Sequence, residues 1–240
     1  MQEFVIVGAS GGIGQALAEY ILENNERARL TAFTTNPERL RLDHPRLRVF
    51  AYEANSQGVE QAIAPLKQEF AQLRAAYICT GLLHNETIQP EKRLEQFSLS
   101  TFTEVMSINA ALPLIWLQAL LPFLKKSEHA VFAAISARVG SISDNQLGGW
   151  YSYRASKAAL NMLMKTAAIE CARRAPQLKL LCFHPGTTDT ALSKPFQANV
   201  PEHKLFTPAF VAERFYQLSM KLNADGELSF IDWDEQPIAW

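Results

Sequence analysis

Tyr153 and Lys157 stand four residues apart, at the start of a run rich in Ala, Leu and Met that reads as a helix from Tyr153 to Arg174. That spacing puts both side chains on one helix face. A cationic amine beside a phenol favours the phenolate and lowers the tyrosine pKa. A phenol tuned in this way can give its proton to a carbonyl oxygen as hydride reaches the carbon, or take it back in the reverse direction. Tyr151 offers the same phenol, but Ala155 stands four residues after it, so it has no amine partner. Alone, such a pair also describes an ordinary solvated helix face; its meaning depends on what surrounds it.

A second cluster sits near the start of the chain, where the apolar run Phe4 to Val7 meets Gly8-Ala9-Ser10-Gly11-Gly12-Ile13-Gly14. Gly8 permits a turn, Gly12 allows close approach of a pyrophosphate, and Gly14 lets the following helix pack on the sheet. The helix start at Ser10 to Gly14 would present backbone amides and a positive dipole end to phosphates. No lysine followed by Ser or Thr completes the cluster, which argues against a nucleoside-triphosphatase loop. The second strand ends Ala32-Phe33-Thr34-Thr35-Asn36 without a carboxylate. An acidic residue there would favour NAD through the ribose hydroxyls. Its absence removes repulsion toward a 2′-phosphate, and Arg39 one turn on could pair with one, so NADP is favoured over NAD. Arg39 reads equally well as a solvated surface charge.

The elements that must hold these residues alternate. Strand patterns fall at Phe4 to Val7, Leu30 to Thr34, Leu47 to Tyr52, Ala75 to Thr80, Ala130 to Ser136, Lys179 to Phe183 and Glu227 to Asp232. Helical patterns follow Ile13, then span Val59 to Leu73 (interrupted by Pro65), Phe102 to Leu124 (with a kink expected at Pro113), Tyr153 to Arg174 and Phe210 to Lys221. This series predicts a doubly wound α/β fold of Rossmann type: a parallel sheet with helices on both faces, a three-layer sandwich, over a single domain from 1 to 240. The stretches 138–150 and 185–208 lack periodicity, and both follow strands. Ligands of such sheets bind beyond the carboxyl ends of strands, so these loops are the expected pocket walls.

Bulk properties fit one large core: 240 residues, 48% hydrophobic and 20% charged. A formal net charge of -1 offers no general attraction for nucleic acid or an acidic membrane. Cys79, Cys171 and Cys182 fit no common metal spacing and read as reduced thiols, which suggests a cytoplasmic location. The most apolar stretch, Ile108 to Leu124, contains Asn109, two prolines and Gln118 and reads as a buried helix rather than a membrane span.

With these pieces in order, the sequence resembles the classical short-chain dehydrogenase/reductase family over nearly its whole length. The resemblance rests on Gly8-x3-Gly12-x-Gly14, Asn109, Tyr153-Arg154-Ala155-Ser156-Lys157, and Pro185-Gly186 followed by Thr190. Gly81-Leu82-Leu83-His84, Gly140-Ser141-Ile142 and Lys194-Pro195-Phe196 are similar to the C-factor and Sniffer-like carbonyl reductase branch. The resemblance implies an NAD(P)-dependent oxidoreductase acting on a small carbonyl or alcohol, and leaves homodimer, homotetramer and monomer open. It implies Tyr153 as general acid/base, and Lys157 on the nicotinamide ribose. Asn109 would hold a water in a proton relay through the central helix backbone. Gly81 would pass close to the cofactor, Pro185 and Gly186 would face the nicotinamide, and Thr190, with Thr188 nearby, would lie at its carboxamide end.

The pattern breaks at one important place. The family's substrate-binding serine falls at Ala137, and Ser136 stands one residue earlier. A one-residue offset in a strand points a side chain to the opposite face. Ser136 could still serve if the strand has ended, and Ser141 or Ser143 could fold back instead. A cofactor-binding homologue that signals or scaffolds with little turnover is therefore the rival reading. Leu147, Trp150, Leu192, Phe196 and Phe206 lie in the two loops and would suit a hydrophobic carbonyl. His84 and His184 follow separate strands with no ligand cluster to suggest zinc.

Overall fold

A computed structural model describes residues 1–240. Seven parallel strands form one sheet: β1 (Gln2–Val7), β2 (Ala28–Thr34), β3 (Leu47–Ala51), β4 (Ala75–Ile78), β5 (Ala130–Ile135), β6 (Leu178–His184) and, at the far edge, β9 (Leu228–Asp232). Their order is β3-β2-β1-β4-β5-β6-β9. The chain winds outward from β1 to β3 and then returns to the other side of β1 with β4. The crevice between β1 and β4 is thus the point where the winding reverses, the usual ligand position in such sheets.

The central strands are apolar on both faces because both faces are covered. Val5 and Val7, Ala76 and Ile78, and Phe132 and Ala134 face one core. Phe4 and Ile6, Ala75 and Tyr77, and Val131 and Ala133 alternate into the other. The second core is closed by α1 (Gly12–Asn24) and α6 (Pro208–Lys221), and the first by α2 (Ser56–Ile63), α4 (Leu112–Leu124) and α5 (Tyr151–Arg174). Trp116 of α4, fully buried, packs on Phe33 with ring centroids 4.6 Å apart.

Two helices differ from their sequence patterns. The one expected over Val59 to Leu73 is α2, which starts earlier, with the Asn55 side chain accepting Gly58 N–H at 2.8 Å, and stops at Ile63. Pro65 then sits in a 3₁₀ turn, Ala64–Leu66. The apolar spacing beyond it is real, since Leu66, Phe70 and Leu73 are buried, but turns satisfy it. The helix expected over Phe102 to Leu124 is a continuous helical run from Leu99 to Leu124. It comprises α3 (Leu99–Met106), a π-helical turn at Ser107–Ala111, and α4. The irregularity expected at Pro113 is thus a widened turn just before it. Pro113 has no amide hydrogen to give the carbonyl four residues back, that of Asn109. This run is apolar and long enough to cross a bilayer by composition, with mean hydropathy 1.6, and half of its most apolar window is buried within the fold.

A two-residue parallel pairing, β7 (Thr187–Thr188) with β8 (Leu205–Phe206), joins the two ends of the limb that follows β6.

Candidate active site

The ends of β1, β4, β5 and β6 surround a cavity of about 400 Å³, bounded by Gly12, Ser136, Tyr153, Lys157, Gly186 and Phe196 among others. Gly8 leaves β1 at φ 83, a left-handed conformation that glycine adopts freely, and a Cβ there would lie 3.0 Å from the Cys79 and Thr80 backbone. Gly14 lets α1 settle on this turn, since a Cβ would stand 2.3 Å from Gly8 O. A Cβ on Gly12 would fill the space next to Thr190, 2.7 Å from its Cγ2. Gly11 caps α1 and Ile13 borders the cavity with it. Ser10 and Thr34 meet through their hydroxyls at 2.5 Å, which ties the glycine turn to the end of β2. Arg39 is exposed on the 3₁₀ turn Pro37–Arg39 just beyond.

Tyr153 and Lys157 project from the first turns of α5 into the cavity, with Lys157 Nζ 5.7 Å from the phenol ring centroid. Nζ donates to Ile135 O at 2.8 Å, so the amine is anchored at the end of β5. Burial holds its pKa down to about 8. Burial also pushes the Tyr153 phenol up to about 12. That direction is opposite to the lowering expected from the amine: in the cofactor-free protein, burial favours the protonated phenol. Gly140 lets the loop after β5 press on Lys157, whose backbone a Cβ would meet at 2.8 Å.

Asn109 is buried in the π-helical turn, and its side chain is fully used. Oδ1 accepts Leu82 N–H at 2.7 Å. Nδ2 donates to Leu82 O at 2.8 Å and to Ser156 Oγ at 3.0 Å. Ser156 in turn donates to Tyr153 O at 2.8 Å. The amide therefore pins the loop after β4 to the first turns of α5. A Cβ on Gly81 would come within 3.9 Å of Asn109 Oδ1 and 4.0 Å of Lys157 Nζ.

Ser136 differs from its expected role. It is buried, and its hydroxyl donates to Asn161 Oδ1 at 2.7 Å. β5 ends at Ile135, so Ser136 stands just beyond the strand at the cavity edge, and it is the bond to Asn161 that occupies its proton. Ser141 and Ser143 lie 3.3 Å apart through their hydroxyls, and Ser143 donates to Trp240 O, so neither turns toward Tyr153. Ala137 borders the cavity.

Pro185, Gly186, Thr188 and Thr190 line the wall after β6. Gly186 has φ 70, and a Cβ there would strike the Phe206 ring at 2.6 Å. The hydroxyls of Thr80 and Thr188 are buried without a protein partner, and both residues border the cavity. His84 Nε2 donates to Leu192 O at 3.1 Å and tethers this wall to the loop after β4. Burial holds His184 down to about 4, so it is neutral. Of the five apolar loop residues, Trp150, Leu192 and Phe196 line the cavity. Leu147 is 93% exposed, and Phe206 packs instead on Trp233, with ring centroids 4.4 Å apart. Thr80, Val139 and Val200 also line it and had no motif to mark them.

The short chain dehydrogenase family model matches residues 2–201. The chain belongs to that family, and its chemistry is NAD(P)-dependent oxidoreduction on a Rossmann-type fold. It is 27% identical over 208 residues, 87% of this chain and 86% of the relative, to the 1-hydroxy-2-glutathionyl-2-methyl-3-butene dehydrogenase of Rhodococcus sp. (strain AD45). It is 24% identical over 239 residues, 91% of this chain and 94% of the relative, to the (S)-benzoin-forming benzil reductase of Bacillus cereus. Among solved structures, the NADPH-bound carbonyl reductase from chicken fatty liver superposes with a TM-score of 0.86 at 23% identity, covering 100% of this chain and 99% of that one. The carbonyl reductase Sniffer of D. melanogaster gives 0.84 at 20% identity, covering 100% of both chains.

Proposed function

We propose that this protein reduces a small, hydrophobic carbonyl compound with NADPH, using Tyr153 as the proton donor. The observation that carries the reading is the convergence of a protonated phenol and an anchored, buried amine on an apolar-walled cavity beside the Gly8–Gly14 turn. The residues fit a dinucleotide. The turn leaves room where any side chain would intrude, and the Thr80 and Thr188 hydroxyls lack protein partners. Gly11, Gly12, Ile13 and Gly14 would hold the pyrophosphate, Lys157 the nicotinamide ribose, and Pro185, Gly186, Thr188 and Thr190 the nicotinamide end. Thr34 and Arg39, at and just beyond the end of β2, would meet the adenosine end, where β2 offers no carboxylate. The bound cofactor supplies the hydride.

The chain's own residues then handle the proton. Tyr153 OH gives it to the developing alkoxide, and the Lys157 ammonium stabilises the phenolate left behind. Asn109 keeps the loop after β4 in place, and its carbonyl, lacking an amide partner at Pro113, suits the water of a relay toward Lys157. Trp150, Leu192 and Phe196 exclude water and favour apolar substrates. The names of the benzil reductase and of the chicken carbonyl reductase support a carbonyl substrate. Three free cysteines suit a reducing, cytoplasmic setting. Half-exposed Ile169 and exposed Met162 on the outer face of α5 suit a homodimer or homotetramer, which sedimentation would read.

The test is hydride transfer from NADPH and NADH to a panel of hydrophobic aldehydes, ketones and quinones, with Tyr153→Phe as control. Turnover by the wild type alone carries the reading. The commitment of Ser136 to Asn161 favours the rival, a signalling or scaffolding homologue. Cofactor binding without turnover across the panel would select that rival.

A further inference from the structure

The connection from β4 to α3 grips the start of α5 twice. Asn109 makes one attachment through Leu82. Glu91 makes the other, and sequence spacing gave no hint of it. Glu91 is 3% exposed. Its Oε2 accepts Ser152 N–H at 3.2 Å, and its Oε1 accepts the Ser152 hydroxyl. Its backbone carbonyl accepts Trp150 N–H at 2.5 Å. The carboxylate thus satisfies a free amide at the α5 N-terminus, at the positive end of the helix dipole.

What this attachment holds is an unusual backbone. Trp150, immediately before α5, is left-handed at φ 52 and ψ 45, and follows Gly148 and Gly149 at φ 65 and 64. A bulky residue in that region is strained and persists only where its surroundings fix it. The Trp150 ring stands edge-on to Tyr153 at 6.0 Å and to Phe196 at 5.0 Å, forming a wall of the cavity.

We propose that Glu91 is a positioning residue that fixes the Trp150 wall and thereby sets the cavity's preference for bulky aromatic carbonyls. The proposal rests on the carbonyl-reduction reading above. Glu91 acts through Ser152 and Trp150, not on the reacting atoms. Gln can keep one acceptor toward Ser152 N–H, whereas Ala keeps the backbone bond to Trp150 but leaves both buried Ser152 donors unpaired, so the turn is no longer held on its Ser152 side.

The experiment compares Glu91→Ala, Glu91→Gln, Trp150→Ala and the Glu91→Ala/Trp150→Ala pair on a diaryl ketone and on a small aliphatic ketone. Glu91→Ala should raise KM for the diaryl ketone by about tenfold, the value of one well-placed aromatic contact, and leave kcat and the aliphatic ketone unchanged. Glu91→Gln should recover most of the loss, and Glu91→Ala should add nothing in the Trp150→Ala background. Additive losses in the double variant, or equal losses on both ketones, would overturn the proposal. If Glu91→Ala does not fold, Ser152→Ala takes its place, with the same aromatic-selective rise expected and its absence decisive. A calorimetric titration with benzanilide, an aromatic amide that resists reduction, separates this proposal from the one beneath it. Weaker binding to Glu91→Ala in a protein that turns over no carbonyl would retain the positioning role and remove the reductase reading. Equal benzanilide binding by wild type and variant would remove the positioning role.

Discussion

The Ser136 hydroxyl donates to Asn161 Oδ1 across 2.7 Å, which joins the end of β5 to the middle of α5 beneath the cavity. Removing it should unsettle the fold more than the chemistry. Ser136→Ala leaves the Asn161 oxygen buried and unpaired, at a cost of about 1–3 kcal/mol. A lowered Tm with kcat nearly unchanged is the expected result. A large fall in kcat at unchanged Tm would show that Ser136 leaves Asn161 to serve the substrate.

Ala137 gives the complementary experiment. It borders the cavity, and the family's substrate-binding hydroxyl falls at its place in the sequence. Ala137→Ser should raise kcat by up to about a hundredfold, the value of one oxyanion donor. Steady-state kinetics with NADPH and a hydrophobic ketone would measure it. No gain would mean that the substrate oxygen lies out of reach of this position.

The buried pair at the site should mark the stability of the cofactor-free protein. Lys157 has its folded pKa held down to about 8 from an ordinary 10.5, so the unfolded chain binds more protons between those values. Stability from this residue therefore rises with pH across that window. Tyr153 is pushed up from 10.0 to about 12, so the folded protein binds more protons there, and its contribution falls with pH in that range. Denaturant titrations from pH 7 to 12 should show Lys157→Met losing the rise and Tyr153→Phe losing part of the fall. Cys79 and Cys182, also raised to about 12, share the fall, so the differences between variants are the quantity to read.

Cofactor choice should turn on the end of β2. Thr35 is exposed there, beside Asn36 and close to Arg39. Thr35→Asp places a negative charge where a 2′-phosphate would lie, and Arg39→Ala removes a cation. Each should weaken NADPH by about tenfold while leaving NADH nearly unaffected. Fluorescence titration of both cofactors is the measurement. Equal losses for both would place the 2′ position elsewhere.

The sequence revealed most where one physical demand acted alone. Strands covered on both faces had to be largely apolar, so β1, β4 and β5 were readable, as was β6 despite the buried Lys179, and a parallel sheet followed from alternation with helices. The glycine turn and the Tyr153/Lys157 pair were readable because steric room and helical spacing are local properties. Helix ends were less so: Leu66, Phe70 and Leu73 keep a helical spacing that turns satisfy after Pro65. The widened turn before Pro113 was expected as a kink, but the partner of the Asn109 side chain, Leu82 in the loop after β4, is distant in sequence. The partner of Ser136 and the role of Glu91 are not legible in the sequence for the same reason. Which way a hydroxyl turns, and which carboxylate reaches a helix end, is decided by residues such as Asn161 and Ser152 on another element. The burial that raises the Tyr153 pKa is a tertiary property and is not legible in the spacing of Tyr153 and Lys157.

The pairing of Thr187–Thr188 with Leu205–Phe206 keeps the two feet of the limb after β6 together, whatever its tip does. Bringing those feet together costs chain entropy once, during folding. A guest arriving in the cleft then meets a loop already closed at its base and has only the span between to settle. Affinity for the guest can accordingly come from short-range fit at Leu192 and Phe196, with little lost to gathering a free strand.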